Sequence, residues 1–261
     1  MVLTTTSIGA AGSRVLFCHG LFGQGRNWTG IAKALADEHR VELVDLPDHG
    51  TSPRSERFDY LAMADAVGDL LDPDDPAAVV GHSMGGKTVM LTALRHPERV
   101  ERLVVVDVSP VPYEHATEFA GYIEAMRAID LDALERRGDA EAALREAVPS
   151  PMVRGFLLQS LRRDETPDGP RWRWLLNLEL LGRDLDLITG WPQDALADVA
   201  PYDGPVLWVG GAESHYVRPE YVEAMDHWFP QNRRVTVKNA GHWVHSEQPA
   251  VFAEVLRRFL R

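Results

Sequence analysis

Six short apolar, β-branched runs recur along the chain, and most stretches between them carry helical spacing. They are RVLFCHG (14–20), RVELVDLP (40–47), AAVVGHS (77–83), RLVVVDVSP (102–110), GPVLWVGG (204–211) and RRVTVKNAGH (233–242). A strand with one face in water alternates apolar and polar residues. These runs are nearly continuous in apolar character, so both of their faces are covered. Helical patterns fall at 27–38, 59–71, 84–96, 218–228 and 247–260. The last of these carries Phe252, Val255, Leu256 and Phe259 at helical spacing, with Ser246 read as its N-cap. Strand–helix alternation of this kind requires right-handed crossovers and gives a parallel sheet between helical layers, an α/β fold.

One segment breaks the rhythm. Residues 111–195 offer no convincing strand and read as helical throughout, in EHATEFAGYIEAMRAI, DLDALERR, DAEAALREA, PMVRGFLLQSLRR and WRWLLNLELL. The strand pattern resumes at 205, so this segment is expected to be a helical lid over 111–195. The core then consists of 1–110 and 196–261.

Composition narrows the function classes. A formal net charge of −12 on 261 residues lacks the basic footprint that phosphate binding needs, which excludes nucleic acid as the expected partner. The single cysteine, Cys18, permits no intramolecular disulfide and is expected in the core. No run approaches the roughly 18 apolar residues of a membrane span. The first residues lack a basic region followed by an apolar one. A cytoplasmic protein without stable membrane association is the expectation, and nothing here fixes its oligomeric state.

The chemistry centres on Gly81-His82-Ser83-Met84-Gly85, a G-x-S-x-G string with a strand before it and a helical pattern after it. A nucleophilic serine on a sharp strand-to-helix turn needs small residues two before and two after it. Acyl transfer also needs two N–H donors for the oxyanion, one from the residue after the nucleophile and one from an early loop. Met84 supplies the first, and Leu21, after His19-Gly20, the second. Of the ten histidines, His242 lies between the last strand and the last helix and is the expected general base. His245 reads as a residue shielding the site, since no acidic cluster completes a metal pair with it. His19 and His82 read as structural, and Lys87 is assigned no role.

These residues, with DLPDHGTSP (45–53) after the second strand, resemble the α/β-hydrolase superfamily. More narrowly, GHSMGGKTVM, ERLVVVDVSPVPY and WRWLLNLELL resemble the YbfF-type small esterases. The resemblance spans almost the whole chain and is weakest in the lid. It implies an α/β-hydrolase fold with a mostly parallel sheet, no cofactor or metal, and hydrolysis of short to medium acyl esters or acyl thioesters through an acyl-enzyme. The chain departs from the superfamily at the acid. Where an aspartate is usual after the strand PVLWVGG, Ser214 stands, with Glu213 one position early. Asp107, at the end of the strand after the nucleophile, is the expected acid, and Glu213 the alternative. Asp45 and Asp48 read as turn-stabilising.

Phe22, Trp174, Leu178 and Trp243 are the expected substrate pocket, apolar groups able to meet an acyl chain. Two alternatives stay open within the fold, a carbon–carbon bond hydrolase and a lyase of the menaquinone-pathway type. A third, from another class, is a non-catalytic ligand-binding receptor.

Overall fold

The computed structural model describes residues 1–113, 117–166 and 169–261, without the side chains of Thr166 and Pro170. The strands are β1 (Thr4–Ile8), β2 (Ser13–Cys18), β3 (His39–Asp45), β4 (Ala77–His82), β5 (Val100–Val106), β6 (Leu161–Thr166), β7 (Gly169–Trp174), β8 (Val206–Gly211) and β9 (Asn232–Val237). Seven of them form one sheet in the order β1-β3-β2-β4-β5-β8-β9, parallel except for β1, which runs antiparallel to β3. All six apolar runs are strands of this sheet. The seventh, β1, reads as TTTSI and was not expected; its side chains are largely exposed at the edge, so it carries no core-facing pattern.

Period-two alternation explains why both faces of the central strands are apolar. Leu16, Val79, Val105 and Trp208 point into one cluster, with helices α2 (Tyr60–Gly68) and α3 (Met84–Arg95). Phe17, Val80, Val104 and Val209 point into the other, with α1 (Thr29–Leu35) and the C-terminal helix Pro249–Leu260. That last helix does not start on a Ser246 cap. Ser246 lies in a short helical turn, Val244–Glu247, and the long helix begins at Pro249, whose ring presets the first helical φ.

Everything between β5 and β8 is inserted between two neighbouring strands of the sheet. The insert holds α4 (Thr117–Arg127), α5 (Arg137–Leu144), α6 (Pro151–Leu157), α7 (Leu178–Arg183) and α8 (Leu185–Thr189). The first expected helix began at Glu114, but residues 114–116 lie outside the described residues. Two expectations fail here. Residues 130–136 form turns instead of a helix, and β6 and β7 pair as an antiparallel hairpin where only helix was expected. WRWLLNLELL thus divides between a strand ending at Trp174 and a helix starting at Leu178. Polar ties pin the insert to the core: Asn177 Nδ2 donates to Asp48 Oδ1 (2.8 Å) and the Phe58 N–H to Asp184 Oδ2 (2.8 Å), while the Tyr113 N–H, donating to the Thr189 carbonyl (3.0 Å), closes the insert on itself.

The register aligns the carboxyl ends of the central strands, with Cys18 opposite Gly81, His82 opposite Val106, and Val106 opposite Val209. From β2 the chain goes outward to β3 and then back across to β4, so the order reverses between β2 and β4. Open α/β sheets form their ligand crevice outside the strand ends at such a switch point.

Candidate active site

Ser83 follows β4 and sits just ahead of α3, with φ 54° and ψ −117°. Its N–H donates to the Val106 carbonyl (3.0 Å), and its own carbonyl accepts from the Lys87 N–H (3.0 Å). Sterics then fix the glycines. A Cβ on Gly81 would strike the Gly85 carbonyl, and one on Gly85 would come within 2.6 Å of the Cys18 carbonyl oxygen. On Gly20 it would lie 2.8 Å from His82 Nδ1 and 3.2 Å from Ser83 Cβ, so the 19–22 loop passes directly against the serine. Phe22 and Asp107 share the left-handed backbone with Ser83, at φ 65° and 51°. Three non-glycine residues in this costly region lie together at one strand edge, the clustering expected where backbone strain serves a site.

Asp107 is fully buried and its carboxylate takes three donors. The Gly211 N–H reaches Oδ1 (3.0 Å), while the Ser214 hydroxyl (2.5 Å) and His242 Nδ1–H (2.8 Å) share Oδ2. An ionised carboxylate only accepts, so this contact places the His242 proton on Nδ1 and leaves Nε2 as an acceptor. The histidine loop is braced around it. Glu247 accepts from the Gly241 N–H (2.6 Å) and the Trp243 N–H (3.2 Å), and His82 Nε2–H donates to the His242 carbonyl (2.8 Å). Tyr216 stacks on the imidazole at 4.3 Å between ring centroids. Glu213 is exposed, and its N–H is spent on the Ala240 carbonyl. The carboxylate that meets the imidazole is Asp107, and Ser214 contributes a hydroxyl to the same oxygen.

The remaining histidines of the crevice are buried. His19 donates from Nδ1 to the Gly20 carbonyl and accepts at Nε2 from the Leu46 N–H, tying β2 to the end of β3. Desolvation, reinforced by neighbouring imidazoles, pushes His19 and His82 well below the ordinary histidine range. Burial against Trp28 and Phe252 takes His245 down to about 3, so this ring is a neutral packing group. Asp45 and Asp48 are absorbed by their turn. Asp45 accepts from the Gly25 and Thr51 N–H groups, and Asp48 accepts from Ser55.

Two narrow lobes open from Ser83, and both are also walled by Leu21 and Phe119. The first, about 10 Å³, is lined by His242, Trp243, Phe22 and Phe156. The second, about 30 Å³, runs past Met84 to Lys87, Tyr60, Tyr113 and Ile188. Among the described residues the Leu21 and Met84 N–H groups have no acceptor, as the start of a helix and a tight loop leave them. No hydrogen bond joins the Ser83 hydroxyl to the His242 ring, although both line the first lobe.

Of the expected pocket residues, Phe22 and Trp243 line a lobe, whereas Trp174 and Leu178 do not. Those two are buried in the hydrophobic core, with Trp174 opposite Leu161 in the hairpin. Residues that sequence reasoning missed are Ser214, Glu247, Tyr216, Phe119 and Phe156, each brought to the site by packing between distant segments. Lys87 is also more than a surface residue. It is 2% exposed, donates to the Thr189 (2.7 Å) and Gly190 (2.5 Å) carbonyls, and lies 4.8 Å from the Tyr113 ring centroid. Desolvation lowers its amine to about 7.

The sequence matches the alpha/beta hydrolase fold family over residues 13–249. A mouse protein, sn-1-specific diacylglycerol lipase ABHD11, is 40% identical over 254 residues, spanning 94% of this chain and 80% of the mouse protein. Esterase YbfF of Escherichia coli K12 is 34% identical over 250 residues, covering 95% of this chain and 93% of that one. Among solved structures, a marine microorganism esterase matches with a TM-score of 0.91 at 29% identity, covering 99% of both chains.

Proposed function

This chain belongs to the α/β-hydrolase family, in its YbfF-like branch, and on that premise we propose that Ser83, His242 and Asp107 are the catalytic triad of this serine ester hydrolase. The observation that carries the assignment is the buried Asp107–His242 contact, at the same strand edge as a serine held in a strained elbow with positive φ. Ser83 Oγ attacks the acyl carbonyl carbon once its rotamer turns toward His242 Nε2, which takes the hydroxyl proton. Asp107 keeps the Nδ1–H tautomer and stabilises the imidazolium. The Leu21 and Met84 N–H groups receive the oxyanion as the carbonyl becomes tetrahedral. His242 then returns the proton to the leaving alkoxide or thiolate, and water, activated by the same nitrogen, hydrolyses the acyl-enzyme.

The two small lobes support short acyl groups, in esters or thioesters. The insert is the proposed lid, since Phe119, Phe156 and Ile188 from it wall those lobes. Among the described residues no helix is long and apolar enough to cross a membrane. The cytoplasm is the proposed compartment, and the single, buried Cys18 suits it.

A fluorophosphonate probe tests the assignment, together with turnover of a short-chain ester. Wild type should label and hydrolyse, and Ser83→Ala should do neither while remaining folded. Equal labelling of Ser83→Ala, or a wild type that neither labels nor turns over any ester, would overturn it.

A further inference from the structure

A buried ammonium is costly, and at Lys87 no carboxylate among the described residues neutralises it. Two of its three N–H donors go to the backbone carbonyls of Thr189 and Gly190, at the end of α8, and Tyr113 offers only the face of a ring. Among the described residues it makes no ion pair. Its setting is also a cavity. The second lobe runs from Ser83 and Met84 to Lys87, and Lys87 is the one charged residue among the described residues lining it. The other walls include Leu21, Val108, Phe119 and Ile188, which offer no acceptor from their side chains. A methionine would fill the same space without the desolvation penalty, so a lone cation in a lobe whose other polar side chains are neutral hydroxyls, those of Ser83, Tyr60, Tyr113, Thr189 and Tyr216, points to a ligand.

The assignment of lobes rests on the triad reading above. His242 must protonate the leaving group, and it lines the first lobe and not the second. Met84, whose N–H faces the oxyanion, lines the second and not the first. The leaving group therefore departs through the aromatic lobe of Phe22, Phe156 and Trp243, and the acyl chain lies in the lobe that ends at Lys87.

We propose that the second lobe is an acyl subsite for short chains ending in a carboxylate, with the Lys87 ammonium as its anion receptor. Lys87 follows Ser83 by one helical turn, a rise of about 6 Å. That span suits an acyl chain with about two or three carbons between the ester carbonyl and the terminal carboxylate. The lobe volume of about 30 Å³ has room for only a few atoms beyond the carbonyl. The carboxylate takes the third N–H of Lys87, completing its donors, and replaces the water it leaves with a charge-assisted hydrogen bond. Amine and acid are matched at a buried lysine, where such a pair discriminates strongly against an uncharged chain.

The test compares two ethyl esters with the same four-carbon acyl chain, ethyl butyrate and monoethyl succinate, by kcat/KM from ethanol release. Wild type should favour the succinate ester, and Lys87→Met and Lys87→Gln should each lower the succinate-to-butyrate ratio by tens- to a hundred-fold. The ratio is the readout because a lysine that only latches α8 to the core would, on removal, lower both rates together and leave it unmoved. An unchanged ratio, or a wild type that prefers ethyl butyrate, overturns the subsite while the esterase reading survives. Turnover of neither ester by wild type sinks that reading and the subsite with it. If both variants misfold, inhibition of wild-type ethyl butyrate turnover decides. Free succinate should inhibit at least ten-fold more tightly than the uncharged butyramide, and equal inhibition overturns the proposal.

Discussion

Replacing Asp107 by Asn isolates the charge of the proposed acid while keeping its shape. The Gly211 N–H at 3.0 Å pins Oδ1, so the new amide has two orientations. With its oxygen on Gly211, the NH₂ faces His242 Nδ1 and forces the proton to Nε2, where it blocks attack by Ser83. With the amide flipped, His242 keeps its working tautomer, but two donors meet at a buried N–H, an unsatisfied contact worth about 1–3 kcal/mol. In either orientation the imidazolium loses its counter-charge. At a separation of about 4 Å and an effective dielectric near 20, that is about 4 kcal/mol. The two contributions come to roughly 5–7 kcal/mol, a fall in kcat of roughly 10⁴- to 10⁵-fold. The assay is kcat with a short-chain ester, beside a thermal melt that should stay close to wild type. Glu213→Gln should cost less than about two-fold, because that side chain is exposed and away from the imidazole. Loss of less than ten-fold in Asp107→Asn, with a larger loss in Glu213→Gln, would refute the reasoning. Ser214→Asp in the Asp107→Asn background should restore part of the rate, since the Ser214 hydroxyl already touches the oxygen that His242 uses.

Trp174→Ala should destabilise the protein by about 3–5 kcal/mol, read as a lower denaturant midpoint, because the indole is core and lines neither lobe. Its acetate-to-octanoate rate ratio should stay at the wild-type value, and a shift in chain preference at unchanged stability would contradict this. Lys87→Met should stabilise the protein in a pH-dependent way. The folded amine titrates near 7 and the unfolded one near 10.5, so the unfolded chain binds more protons between them. Wild-type stability therefore contains a contribution that is complete above about 10.5 and lost as pH falls to about 7. At about 1.4 kcal/mol per pH unit across that window, the loss is on the order of 5 kcal/mol. The stability gap between variant and wild type should be widest at or below pH 7 and close toward pH 10, and a gap constant over that range would count against the buried-cation account.

Much of this was legible in the sequence where chemistry is local. The six central strands declare themselves through unbroken apolar runs, and Ser83 through a turn that admits no Cβ at Gly81 or Gly85. Asp107 was reachable because a strand-end carboxylate follows the nucleophile strand, and Ser214 marked the vacancy on the other loop. The hairpin of β6 and β7 escaped because LRRDET and GPRWRW mix charges with indoles. Their few apolar side chains stand among charged ones, so they lack the unbroken core-strand pattern. The string Thr166-Pro167-Asp168-Gly169 was the available signal, since Pro, Asp and Gly together favour a turn. Trp174 and Leu178 were misassigned to the pocket because an aromatic-rich run looks the same whether it faces a substrate or another helix. Glu247, Tyr216 and the setting of Lys87 depend on contacts between segments far apart in sequence, which no local pattern encodes.

The insertion between β5 and β8 also dictates an order of assembly. Those strands are neighbours in the sheet, yet about 100 residues separate Val106 from its partner Val209. Closing so long a loop costs about 4 kcal/mol of chain entropy before the pairing returns anything. The β1–β5 part of the sheet has its pairings within the first 106 residues and can form without waiting for that closure. Asp107 belongs to the early part and His242 to the late one, 135 residues away. During refolding, Ser83 and its elbow are therefore expected on a nascent sheet before the imidazole arrives. Hydrolytic competence is a property of the last strands to dock, and its recovery reports completion of the whole sheet.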